Sequence, residues 1–166
     1  MADPFIVSLR PMDADRIAEW APGNEADYRD SRIQAGESVE VATARAHESF
    51  EKFFPGGAAL ATHRIFDILA DAGTDGGAGP VVVGYLWIGP QDDADPAAWW
   101  VWDVEIFEQH RRRGHARAAL LLGEDVARSL GAISLGLNVF GFNSGAKELY
   151  ESLGYAPTAI QMKKPL

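Results

Sequence analysis

The chain has 166 residues, 47% of them hydrophobic, and a formal net charge of −9. That is the size of one domain with a substantial core, which excludes disorder as the overall state. The acidic balance argues against nucleic acid as the main partner, because phosphate binding needs a dense basic surface, and weakly favours a cationic substrate.

No apolar run approaches the roughly 20 residues that span a bilayer. The start Met1-Ala2-Asp3-Pro4 lacks the basic and apolar stretches of a secretory signal. The expectation is a single cytoplasmic domain, residues 1–166, with no membrane partner. Without cysteine there is no disulfide framework, thiolate nucleophile or Cys–zinc site. His47, His63, His110 and His115 show no metal-ligand spacing, so each is expected to be structural or superficial, and no metal is expected.

In chain order, residues Phe5 to Arg10 read as a first strand. Asp13 to Trp20 read as a short helix stopped near Pro22-Gly23. Glu25 to Phe54 is mostly helical, broken at Gly36, with Ser38 as a cap, and Pro55-Gly56-Gly57 ends it. Three strands follow: Ala61 to Leu69, Val81 to Ile88 and Trp99 to Phe107. The Gly/Asp-rich stretch Asp71 to Pro80 is read as a hairpin connection between the first two. Arg113 to Leu130 has helical spacing and ends at Gly131. Ile133 to Val139 is a strand, Asn143 to Leu153 a helix stopped by Gly154, and Tyr155 to Lys164 a last extended segment placed at a sheet edge. An antiparallel meander thus runs into a strand-helix-strand-helix unit. The fold class is α/β, a mixed and mostly antiparallel sheet with one right-handed parallel crossover.

The charge is unevenly distributed. Four of the 15 basic residues are Arg111, Arg112, Arg113 and Arg117, at a glycine-containing turn from strand to helix. The first helical turn has free N–H groups and a partial positive charge, which suit a phosphate or pyrophosphate. Gly114 and Ala116 keep side-chain bulk away from the main chain, and the arginines add planar donors. The turn is neither a Walker loop nor a dinucleotide fingerprint, which disfavours a nucleotide-binding protein. By chemistry alone, an anion site and a solvated basic helix start both remain open.

Arg111-x-x-Gly114-x-Ala116 resembles the [QR]-x-x-G-x-[GA] signature of the GCN5-related N-acetyltransferase (GNAT) family, set between a hydrophobic strand and an Ala/Leu-rich helix as that family requires. Departures are Glu108, where the family often has Pro, His110, where it often has Tyr, and Arg112, where it often has Gly. A second stretch, Leu137 to Tyr155, is similar to the family's next motif: a strand, then Asn143, Ala146, the pair Leu149-Tyr150, and Leu153-Gly154-Tyr155. Together the motifs cover roughly residues 98 to 155. Asn143, Ala146 and Tyr150 lie near one helical face, and Leu149 and Leu153 form a neighbouring apolar stripe. Taken alone, Asn143 also reads as a plain helix N-cap and Tyr150 as a packed aromatic with its hydroxyl at the rim.

The resemblance implies the GNAT acyl-CoA N-acyltransferase fold and transfer of an acetyl group from acetyl-CoA to an amine. It implies that acetyl-CoA is cradled by Arg111, Arg112, Arg113, Gly114, His115, Ala116 and Arg117, with Asn143 and Ala146 beside it. It further implies that the backbone N–H near Ile106 binds the acetyl carbonyl and that Tyr150 donates a proton to the leaving sulfur. Amine attack also needs a base. Asp103 and Glu105 share one strand face, opposite Val104 and Ile106, and paired carboxylates raise one pKa. Glu105 is the candidate base, directly or through a water, against a carboxylate that merely pairs with an arginine or faces solvent. The acceptor site is expected at the N-terminal helices, with Trp20, Tyr28, Trp87, Trp100, Glu25, Asp27 and Asp30 nearby and none assigned. The alternative reading is a non-catalytic acyl-CoA-binding or sensing module. Both a monomer and a homodimer fit, the C-terminal strand being available for exchange.

Overall fold

In the computed structural model, which describes residues 6–71 and 79–166, five strands form one sheet in the order β1-β2-β3-β4-β5. β1 (Val7–Pro11), β2 (Arg64–Asp71), β3 (Pro80–Pro90) and β4 (Ala98–Ile106) pair antiparallel in succession. β5 (Ser134–Leu137) lies parallel to β4, reached through helix α3 (His115–Ser129). Parallel neighbours need such a crossover, so the expected mixed sheet is the observed one. Helices α1 (Ala14–Gln34) and α2 (Val39–Phe53) fall between β1 and β2 in the chain, and α4 (Ser144–Ser152) follows β5. Phe5 and most of the expected 71–80 connection lie outside the described residues.

Strand alternation sends apolar side chains to both faces of the sheet, and each face has its own cluster. Phe66, Ile68, Leu86, Ile88, Val101 and Ile106 pack with Ala119, Leu120 and Ala127 of α3, joined by Leu149, Tyr150 and Leu153 at α4. α3 approaches closely because Gly123 presents no side chain: a Cβ there would stand 2.7 Å from Leu86 Cδ2. On the other face, Ile65, Tyr85, Trp87 and Trp102 pack with Trp20 and Ala21 of α1 and with Phe53 and Phe54 at the end of α2. Asp67 is also buried, held by Arg10 at 2.8 Å and Arg16 at 3.4 Å. His63 is buried as a structural group, its Nδ1 accepting from Trp87 Nε1 at 2.9 Å.

Two expectations fail. The first helix does not stop at Pro22 but runs from its Asp13 cap to Gln34, with Pro22 inside it. An interior proline costs about 3 kcal/mol, yet Trp20, Ala21 and Asn24 beside it are all buried. Fully burying one large apolar side chain offsets roughly 1.5–3 kcal/mol of that, so tertiary packing overrides the local stop signal. The second failure is the C-terminal strand. Residues 155–166 form no strand, and β5 is left as the sheet edge. Ile160 and Met162 are exposed, Pro157 and Pro165 bring no N–H to a ladder, and Lys163 Nζ donates to the carbonyl of Gly36 at 3.2 Å. The segment is tied to the α1–α2 turn and not to the sheet.

No helix among the described residues is long and apolar enough to cross a membrane. Among the same residues no group of three His, Cys, Asp or Glu side chains is placed to hold a metal ion.

Candidate active site

β4 is built irregularly where the candidate residues lie. Trp87 of β3 stands opposite Asp103, but the next residue, Ile88, stands opposite Val101, so Trp102 is an extra residue in β4. Such a bulge bends the strand and re-aims its side chains. Trp102 joins the aromatic cluster against Phe53 and His63, and the next residue, Asp103, turns to α1 on the same face. Glu105 follows two residues later, again on that face. The pairing with β5 covers only Ala98 to Val101 of β4, so among the described residues the edge from Trp102 to Ile106 has no strand partner on that side. Close approach on the other edge depends on Gly84, where a Cβ would lie 1.9 Å from the carbonyl oxygen of Glu105.

The carboxylates on this face are joined in one network. Asn24 of α1, only 9% exposed, donates its side-chain amide to Asp103 Oδ2. Tyr85 Oη lies 3.0 Å from that same oxygen and 3.0 Å from Glu105 Oε2. Arg111 reaches back to the strand end, its Nε donating to the carbonyl of Ile106 at 2.8 Å and its Nη2 standing 3.4 Å from Glu105 Oε1. Burial, with repulsion from Glu105 added, pushes the Asp103 carboxyl up to about 6, against the pull of the Tyr85 and Asn24 hydrogen bonds. The expected shared face and raised carboxyl are therefore present, and the raised one is Asp103. Asn24 and Tyr85 were not singled out from the sequence. Tyr85 fell within an expected strand, but nothing in the sequence pointed it at a carboxylate pair.

The basic turn sits beyond the end of β4. Arg112 has φ 64° and Gly114 has φ 82°, both left-handed. Gly114 is the N-cap of α3 and offers no side-chain hydrogen bond to the helix, and the first turn carries no acidic residue. A Cβ on Gly114 would meet nothing within 4 Å. The turn thus presents an uncapped, positive helix end to open space. Arg112 and Arg113 are exposed and make no ion pair or hydrogen bond among the described residues. Arg111 is engaged at the strand end, and Arg117 donates to Ser152 Oγ of α4. His115 is buried at 3% exposure, its pKa lowered by burial and then by Arg113 and His110. Ala116 is half-buried against the α3 core.

Asn143 is the N-cap of α4, its Oδ1 accepting from the backbone N–H of Ala146 at 3.2 Å. Tyr150, half-buried on α4, packs against the α3-side core, with its ring 5.9 Å from that of Tyr155. Burial first, then the Asp103 charge, pushes its phenol up to about 12. Of the aromatic residues noted near the acceptor side, Trp20 and Trp87 belong to the core, Trp100 is half-buried, and Tyr28 is held by Arg32. Asp30 pairs with Arg29 at 2.7 Å, and Glu25 faces His47 at 3.3 Å.

The sequence and fold are similar to those of known proteins. Residues 32–155 match the family described as Acetyltransferase (GNAT) family. The chain is 32% identical over 165 residues to YdgE of Bacillus subtilis strain 168, an uncharacterized N-acetyltransferase, covering 96% of this chain and 98% of that one. It is 26% identical over 161 residues to YycN of the same strain, also an uncharacterized N-acetyltransferase. The crystal structure of YycN superposes with a TM-score of 0.82 at 26% identity, covering 97% of this chain and 99% of that one. The aminoglycoside N-acetyltransferase AAC(6')-Iy, solved in complex with CoA, has the same fold at 13% identity and a TM-score of 0.58, covering 100% of this chain and 98% of that one.

Proposed function

Because the chain belongs to the acetyltransferase (GNAT) family, we propose that this N-acetyltransferase moves an acetyl group from acetyl-CoA to a primary amine of a small cationic molecule or basic peptide. The observation that carries this reading is the uncapped N-terminus of α3, beside exposed Arg112 and Arg113, in the turn that follows β4. Backbone N–H groups of that turn, with Arg112, Arg113 and Arg117, would hold the pyrophosphate of coenzyme A. Gly114 fits because no side chain fills the space in front of it. Asn143 and Ala146, at the start of α4, would lie beside the bound cofactor. Bound acetyl-CoA supplies an activated thioester carbonyl.

The residues of the chain divide the remaining work. The N–H of Ile106, at the unpaired end of β4, would donate to the acetyl oxygen as negative charge develops there. Tyr150 keeps its proton up to about pH 12 and so remains able to protonate a leaving sulfur. The Asp103–Glu105 pair removes a proton from the amine, Glu105 being the more exposed of the two toward the Arg111 side. The net charge of −9 draws a cationic acceptor.

Calorimetric titration with acetyl-CoA tests the cofactor assignment. Micromolar binding by the wild type and its loss in Gly114→Trp are expected. No binding by a folded wild type would overturn the reading. A screen of primary amines then identifies the acceptor.

A further inference from the structure

One phenolic hydrogen stands between two carboxylates in this fold. Tyr85 Oη is 3.0 Å from Asp103 Oδ2 and 3.0 Å from Glu105 Oε2. A hydroxyl has a single hydrogen to donate, so with both carboxylates ionised one contact sets lone pair against lone pair. Water does not relieve this readily, because Tyr85 is 5% exposed and packed 5.1 Å from the ring of Trp20. A proton on Asp103 resolves the conflict: Asp103 donates to Tyr85 Oη, and Tyr85 donates to Glu105. Every hydrogen then has an acceptor.

The neighbours decide which carboxyl holds that proton. Glu105 is 35% exposed and has the Arg111 cation 3.4 Å away. Asp103 is faced by Asn24 from α1, Tyr85 from β3, Glu105 on its own strand and Tyr150 from α4. None of these is a cation. Burial and the Glu105 charge hold its proton up to about pH 6. Above that pH the trio is one proton short and ready to take one.

We propose that Asp103, Tyr85 and Glu105 share one proton and act as a relay, taking a proton from the acceptor amine at Asp103 and delivering it through the Tyr85 hydroxyl to Glu105. The source of the proton rests on the N-acetyl transfer reading; the sharing does not. As the new C–N bond forms and the C–S bond breaks, the leaving sulfur takes the Tyr150 proton, which solvent later restores, and the nitrogen gives up one proton to Asp103. Asp103 passes it to Tyr85 Oη while Tyr85 passes its own to Glu105 Oε2, so the phenol ends as it began. Glu105, at the exposed end, releases the proton to water. Tyr85 does not ionise, since burial and the two carboxylates hold its phenol far above the ordinary value. It is a positioning and relay residue, distinct from one that touches the reacting atoms.

Carboxyl ¹³C NMR of Asp- and Glu-labelled protein tests the shared proton in the wild type, Tyr85→Phe and Glu105→Gln. In the wild type the Asp103 carbon should shift near pH 6, and the Glu105 carbon should respond in that same step as the Tyr85 hydrogen moves between them. In Glu105→Gln the Tyr85 hydrogen is free for Asp103, so the Asp103 midpoint should fall. In Tyr85→Phe the Glu105 response within that step should vanish. Independent titration in the wild type, or an unmoved Asp103 in Glu105→Gln, overturns the proposal, and the second variant decides the matter if Tyr85→Phe does not fold. For the relay, acetylation rates of a primary amine in H2O–D2O mixtures should bow with deuterium fraction in the wild type and become linear in Tyr85→Phe. A linear wild-type response overturns the relay. Coupled titration in a protein that acetylates no amine would support the shared proton and overturn the transferase reading, so the two failures are distinct.

Discussion

Tyr150 of α4 lies near enough to Asp103 of β4 that the Asp103 charge adds to burial in holding the Tyr150 proton up to about 12. A candidate acid and a candidate base are thus set in one small region with pKa values driven apart, about 12 and about 6. Divergent environments of this kind divide acid and base roles. Burial is the first cause for both groups, and it acts the same way on both because each is charged when deprotonated.

Replacing Tyr150 with Phe removes the candidate acid and little packing. The expected result is a fall in kcat of roughly 100-fold, the lower end for general acid catalysis, with the KM for acetyl-CoA nearly unchanged. The wild type should show no alkaline loss attributable to this group in the assayable range, because its proton leaves only near pH 12. Steady-state kinetics on both proteins check this. An unchanged kcat would remove Tyr150 from the reaction.

Arg112 occupies a left-handed conformation, φ 64°, that a non-glycine residue adopts at a cost of about 1–2 kcal/mol. Strain of this kind persists where function requires the side chain. Arg112→Gly should raise stability by up to about 1 kcal/mol, since glycine recovers the strain but loses more chain entropy on folding. It should also weaken acetyl-CoA binding several-fold, more at low salt than at high. Denaturant unfolding and calorimetry measure the two effects. A more stable variant with unchanged affinity would mean that the side chain does not reach the ligand.

Asn24→Ala leaves Asp103 without its amide donor inside the fold. The expected loss of stability is about 1–3 kcal/mol, the range for a buried polar group stripped of its partner. The acid limb of kcat/KM should move to higher pH, because a hydrogen bond to the charged form lowers the Asp103 pKa. Loss of stability with an unmoved acid limb would assign Asn24 a purely structural role.

The fold was legible because its signals are local. Alternation marked the strands, Ser38 and Asn143 announced their caps, and the Arg111-to-Ala116 turn sat between a hydrophobic strand and an Ala-rich helix. Pro22 misled because its local cost is overridden by burial contributed from elsewhere in the chain. The site was legible only along β4 and the two motifs. Asn24 meets Asp103 across 79 residues of sequence and Tyr85 meets it across 18, and no periodicity reports a contact of that kind. The bulge at Trp102 is likewise set by pairing with β3, and it decides that Asp103 follows Trp102 onto the same face.

Two buried groups tilt stability in opposite directions over one pH window. His63 is lowered from 6.5 to about 4 by burial, then by Lys52 and Arg64. The unfolded chain takes up that proton first, so this contribution is full above 6.5 and is lost as pH falls toward 4. Asp103 is raised from 3.8 to about 6, so the folded state holds a proton that the unfolded chain has released. Its contribution is full below 3.8 and is lost as pH rises through 6. Between about pH 4 and 6 the slopes oppose each other. Asp103→Asn removes one of them and exposes the other. The variant's unfolding free energy should therefore climb with pH across that window more steeply than the wild type's, by up to one proton, or about 1.4 kcal/mol per pH unit. Carboxylates other than Glu105, which is coupled to Asp103, act alike in both proteins and cancel in the comparison. Urea unfolding at several pH values measures it, and parallel curves for the two proteins would show that Asp103 carries no extra proton in the folded state.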